Sequence, residues 1–194
     1  MTTPPRSERP AMSGYAVPGD TEGVLPWSWA EERLVGCQNF FLVTANAAGR
    51  PHSLPVWAVW MPTRQRWGCG CAPTARKLRN IGENPYVVFT TDDSVEVVSI
   101  EGTAAIVAGD AAEPVVDAWA TKYEPRMDGV SLDEAKQFMR GNTIIEVTPE
   151  RGFGIIERPD EFATRATRWI WDEMPQGQRG SSIWKPMSVP HELR

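Results

Sequence analysis

Short β-rich runs follow one another along this chain at a spacing that leaves little room for crossover helices. They are NFFLVTAN from Asn39, HSLPVWAVW from His52, RWGCGC from Arg66, YVVFTTDD from Tyr86, VEVVSIEGTAAIV from Val95 and NTIIEVTP from Asn142. RGFGIIE from Arg151 and TRATRWIW from Thr164 close the set. Six or seven strands at this spacing predict a mainly β, antiparallel barrel or sandwich with helices at its periphery. A doubly wound parallel sheet needs regular β–α–β alternation and a G-x-G-x-x-G turn. The chain has neither.

The helical signals are few. Ser28 with Glu31 and Ser131 with Glu134 each match the S-x-x-E capping pattern. They predict helices near 28–36 and over 131–140. A third helix is expected over 74–83, where Asn84-Pro85 stops it, and a fourth over 111–123. Residues 1–25 are rich in Pro, Gly, Ser and charge and read as a flexible arm. Residues 26–172 then form the barrel domain, and 173–194 an extended tail.

Composition narrows the classes. A single domain of 194 residues buries a core without staples. A net charge of −5 argues against a nucleic-acid partner. Three cysteines make no disulfide framework, which points to the cytoplasm. No apolar run reaches the roughly 18 residues of a membrane span, and no secretory h-region opens the chain. Two histidines, His52 and His191, lack ligand spacing, so no metal is expected. No G-x-S-x-G elbow or triad order suggests hydrolysis.

Two features carry chemistry. In the strand from His52, residues Leu54, Val56, Ala58 and Trp60 share one face, while Ser53, Trp57 and Val59 share the other. A strand with two largely apolar faces is covered on both sides, or covered by something flat. Pro55 donates no ladder hydrogen bond, so this strand runs along an edge or bulges there. The second feature is TARKLRNIGENP. Arg76, Lys77 and Arg79 stand in the first turns of a helix, where the backbone dipole already repels cations. A bound phosphate explains them; so does a solvated basic face. Cys69 and Cys71 place two thiols on one strand face without the further ligands a metal needs. His52 reads as half-exposed, with proton donation as its alternative. Trp57, Trp169 and Trp171 are candidates for stacking on a ring, against core packing or an interface.

The hairpin GRPHSLPVWAVW, the strand RWGCGC, the segment TARKLRNIGENP and the pair YVVFTTDDSVEVVSIEGTAAIV resemble, in order and spacing, the core motifs of the flavin- and deazaflavin-dependent oxidoreductases. These belong to the pyridoxamine 5'-phosphate oxidase-like superfamily of split β-barrels. The likeness runs from about Phe40 to Val107 and resumes in TRATRWIW. It implies an FMN-binding type of split barrel and a homodimer with cofactor sites at the interface. It implies cofactor contacts from Leu54, Pro55, Val56, Trp57 and Ala58, and from Gly70 and Cys71. It places the phosphate on Arg76 and Lys77, with Arg79 and Asn80 beside them. The Pro-Val-Trp strand and the Thr-Arg-Trp ending resemble the branch that uses coenzyme F420; FMN is the second expectation. The implied activity is hydride transfer to a small unsaturated organic substrate, with no catalytic triad. A non-catalytic carrier or sensor of a flavin or haem-like ligand is the alternative. One departure stands out: the family often has Ser or Thr directly before the Arg-Lys pair, and here it is Ala75.

Overall fold

The computed structural model describes residues 3–12 and 14–171. The proposed tail at 173–194 lies outside them. Eight strands and five α-helices are present among the described residues: β1 Arg6–Glu8, α1 Trp27–Gly36, β2 Asn39–Ala45, β3 Pro51–Met61, β4 Arg66–Cys71, α2 Arg76–Glu83, β5 Tyr86–Thr91, β6 Glu96–Val107, α3 Glu113–Tyr123, α4 Leu132–Arg140, β7 Thr143–Ile156, α5 Phe162–Arg165 and β8 Thr167–Ile170. Every pairing is antiparallel. The order β7-β4-β3-β2-β5-β6 closes on itself through a β6–β7 ladder, so six strands make a barrel. β8 and β1 extend it beyond the far half of β7.

The alternation read from the sequence decides what is inside. Phe40, Leu42, Val56, Ala58, Trp60, Trp67, Cys69, Phe89, Val98, Ile100, Ile145 and Val147 fill the barrel. A second cluster lies outside it. There Val115, Val116, Trp119 and Ala120 of α3, with Ala135 and Met139 of α4, cover Val59, Met61 and Ile144. Both faces of β3 are therefore apolar because one faces the barrel and the other faces a helical pair. Gly68 and Gly70 permit this close cover: a Cβ would come within 2.6 Å of Val115 at the first and 2.7 Å of Met139 at the second.

Four local expectations need correction. The segments from Asn142 and Arg151, read as two strands, form the single strand β7. Pro149 does not interrupt it because the register shifts there, opposite Glu101/Gly102, and a bulge has no need of the missing N–H. The stretch from Thr164 is shared between the end of α5 and β8. The barrel has six strands, as expected, but the N-terminal segment, read as a flexible arm, contributes β1 against β8 outside it. The Ser28–Glu31 box does not form: α1 begins one residue earlier, with Pro26 at its cap and no side-chain cap. The Glu31 carboxylate instead accepts N–H bonds from Trp27 (3.3 Å), Trp60 (3.2 Å) and Gln65 (2.7 Å). Three inward donors outcompete one local cap.

Candidate cofactor cleft

The site begins with a change of partners in β3. Residues Pro51–Trp57 pair with β2. Residues Ala58–Met61 pair with β4. On the side where β4 would continue, the first seven residues of β3 have no strand partner among those described. This is the edge that Pro55 predicted. Leu54 shares the inward parity of Val56 and Ala58, yet it is 48% exposed, because β4 has turned away beside it.

Helix α3 fixes which backbone groups face the gap. The Tyr123 hydroxyl bonds the N–H (2.9 Å) and C=O (3.0 Å) of Ala58 and also reaches the Gln38 carbonyl just before β2. Lys122 adds its ammonium to the carbonyls of Ala58 (3.0 Å) and Cys37. The main-chain groups of Ala58 thus turn toward β2. Because they alternate along a strand, those of Pro51, Ser53, Pro55 and Trp57 turn to the open edge. The Trp57 carbonyl is taken by the Trp119 indole at 3.2 Å. Burial holds Lys122 down at about 8 and pushes Tyr123 up to about 12. These clasp residues were not singled out from the sequence. The signal was available: Trp119 and Tyr123 stand four apart on one helix face.

The other wall is the end of β4 and the start of α2. The β3–β4 ladder ends at Ala58↔Cys69, and Gly70 and Cys71 continue against Ile144 and Thr143 of β7. Cys69 and Cys71 both point into the barrel core, as their spacing required. Burial pushes the Cys71 thiol up, and the charge of Lys77 opposes it. α2 starts at Arg76 after Ala75, with no side-chain cap and no acidic residue in its first turn. Ile81 and, partly, Ala75 and Leu78 pack on the barrel core. Arg76 and Arg79 are exposed and Lys77 is half-buried. None of the three has an ion-pair partner among the described residues. Asn80 stands apart from them. It is 1% exposed and gives its amide N–H to Thr44 Oγ1 at 2.9 Å, while its Oδ1 has no partner among the described residues. Its role is to seat α2 against β2. His52 is half-buried on the open half of β3, paired with Thr44.

Leu54–Trp57 lie on the unpaired half of β3, Gly70 and Cys71 at the end of β4, and Arg76 and Lys77 at the start of α2. Asn80 turns inward to Thr44, and the backbone of Ala58 turns toward β2. Uncapped helix N–H groups, unpaired cations and an unpaired strand edge fit a ligand with a phosphate at one end and a flat polar-edged ring at the other. Among the described residues there is no cluster fit to hold a metal, and no helix is long and apolar enough to cross a membrane.

Comparison with known proteins bears on the fold and the family. A search of curated proteins finds no match. Among solved structures, a conserved hypothetical protein from Mycobacterium tuberculosis aligns with a TM-score of 0.59 and 19% identity, over 72% of this chain and 90% of that one. An F420 reductase aligns at 0.49 and 19%, over 63% and 94%. A haem storage protein from Vibrio cholerae aligns at 0.47 and 21%, over 63% and 86%. At such identities the likeness concerns fold alone. The family model described as pyridoxamine 5'-phosphate oxidase matches residues 30–155, well over half of the chain. The chain belongs to the pyridoxamine 5'-phosphate oxidase-like family of split β-barrels.

Proposed function

We propose that this chain is an oxidoreductase that holds coenzyme F420, or else FMN, in the β3–α2 cleft and moves a hydride between it and a small unsaturated organic molecule. The observation that carries the reading is the set of three cations, without ion-pair partners among the described residues, at the uncapped start of the helix that follows β4. The bound ring supplies the hydride chemistry itself. The chain's residues bind, orient and exclude water. Arg76 and Lys77 take the phosphate together with the first N–H groups of α2, and Arg79 supports them one turn on. At the strand edge the free groups are the Trp57 N–H, the Pro55 C=O and both groups of Ser53, which suit the polar rim of a flat ring. Gly70 and Cys71 bound the ring on its other side.

The same reading takes two copies of the chain, paired about a two-fold axis with the clefts at the seam. Phe41, Leu54 and Tyr86 are large apolar side chains left open on these strands, and a second copy would cover them. Three free thiols suit a reducing cytoplasm.

The test is a titration of the purified protein with FMN, F420 and haem, repeated on Arg76→Ala, Lys77→Ala and the double variant. A charge-assisted contact contributes about 1.5–3 kcal/mol, so each single variant loses roughly ten- to a hundredfold in affinity. A folded double variant that binds as tightly as the parent ends the phosphate assignment. A chain that takes haem and neither of the other two ends the oxidoreductase reading in favour of a carrier. Light scattering that shows a stable monomer at micromolar concentration removes the paired arrangement.

A further inference from the structure

Trp57 stands on the rim of the proposed cleft, and its environment is unusual for an exposed residue. Its ring is 50% exposed. One face lies flat on Tyr123, with centroids 5.2 Å apart and planes 6° from parallel. Tyr123 cannot yield, because its hydroxyl is bonded to three backbone groups of β3 and the β2 entry. Trp119, whose indole holds the Trp57 carbonyl, closes the set at 6.3 Å from Trp57 and 4.9 Å from Tyr123. At the far side of Trp119, Phe138 is stacked at 5.8 Å and is 57% exposed. A chain of four aromatic rings thus has two buried members in the middle and an open face at each end.

Core packing explains one face of Trp57, which covers Tyr123 of α3, and not the other. Val56 and Ala58, on either side of it, supply the inward contacts of the strand, and Val59 packs on α3 as well. The Trp57 side chain adds a large apolar face held rigid toward solvent. Rigid aromatic faces bind at low entropic cost, since the support has already fixed their rotamers. The ring face is electron-rich, so it prefers the face of an electron-poor partner in an offset stack. A molecule that accepts a hydride must itself be electron-poor. The position also fits: Trp57 is the last residue of the half of β3 that has no strand partner on the β4 side.

We propose that the open face of Trp57 is the substrate platform, and that the substrate class is a planar, conjugated, electron-poor ring system. This rests on the reading of the cleft as the cofactor site. Tyr123 and Trp119 act as positioning residues.

The experiment uses the full chain with 1,8-naphthalimide, a flat electron-poor probe, and its perhydro counterpart, which has the same imide edge on a puckered frame. Binding is read by calorimetry on the parent, Trp57→Leu and Trp57→Phe. The expected result is that the parent prefers the flat probe, that Trp57→Leu weakens it at least tenfold, and that Trp57→Phe restores most of the loss. Equal binding of the two probes, or no loss in Trp57→Leu, overturns the proposal. If Trp57→Leu does not fold, the indole N–H resonance of Trp57 in the parent decides: it shifts on addition of the flat probe, or the proposal falls. Iodide quenching of Trp57 in the native assembly must also succeed, since a ring sealed between two copies is no platform. FMN and F420 titrations of the same variants separate the two readings. Cofactor binding without naphthalimide preference sinks the platform alone. Naphthalimide binding lost in Trp57→Leu, by a chain that takes neither cofactor, sinks the cofactor reading and leaves Trp57 as a ligand site.

Discussion

Helices α2 and α4 are of nearly equal length, eight and nine residues, and lay out their charges in opposite ways. α4 opens on Ser131 in a complete capping box with Glu134, carries Asp133 and Glu134 in its first turn, and ends on Arg140, which pairs with Glu113 at 2.8 Å. Each of these choices favours the helix. α2 has Ala75 at its cap, cations where α4 has acids, and no basic residue in its last turn. Helix stability accounts for α4 completely and for α2 not at all. The charges of α2 are arranged for something outside the helix.

The comparison breaks most sharply if α2 is given the layout of α4. The double variant Arg76→Glu, Lys77→Glu is expected to lose FMN and F420 affinity by well over a hundredfold, since two contacts of about 1.5–3 kcal/mol each are gone. In the absence of ligand the same variant gains stability, because each position exchanges an unfavourable helix-end charge for a favourable one worth about 0.3–1 kcal/mol. Denaturant unfolding and cofactor titration read the two opposite effects in one protein. Retained affinity would remove the functional account of α2.

Ser131→Ala is the mirror experiment on α4. It is expected to cost about 1 kcal/mol of unfolding free energy and to leave cofactor affinity unchanged. A change in affinity would show that α4 communicates with the cleft. A gentler change sharpens the contrast. Ala75 has the extended backbone of a cap residue, with φ −63° and ψ 135°. Ala75→Ser supplies the missing acceptor and is expected to add about 0.5–1 kcal/mol without ligand. No gain would mean that the hydroxyl finds no helix N–H to bond.

Acid separates the two helices with the smallest effect. The Ser131 backbone and side-chain hydrogen bonds hold Glu134 below its ordinary 4.5, and Arg140 does the same for Glu113. Their stabilising contribution is complete above the unfolded value and is lost as pH falls through the lower folded values. Nuclear magnetic resonance shifts of α4 amides are therefore expected to move below about pH 4.5, before those of the α2 amides, which depend on no carboxylate at their start. Simultaneous movement would contradict the assignment.

Local chemistry was legible in the sequence, and long-range competition was not. The strand runs from Asn39, Arg66 and Tyr86 stand within about two residues of their expected limits, because their alternation faces one barrel interior. Ser131 with Glu134 caps as expected, while the same pattern at Ser28 with Glu31 fails. Nothing in four residues reveals that Trp60 and Gln65, some 30 positions away, will claim the carboxylate. In the cleft, the basic helix start and the proline edge were readable from residue type alone. The inward turn of Asn80 and the clasp by Tyr123 were not, since both depend on which strand lies opposite.

One consequence of the partner change in β3 concerns aggregation. An unpaired edge normally invites another strand to add to the sheet. Here the four residues whose main-chain groups turn to the opening are Pro51, Ser53, Pro55 and Trp57. Two of them have no N–H, and the Trp57 carbonyl is occupied by Trp119. An incoming strand would find acceptors without donors at alternate rungs and could not zip. The same barrel can leave a ladder open to a small molecule while refusing a peptide, and the prolines that make the strand look irregular are what keep that opening from templating a fibril.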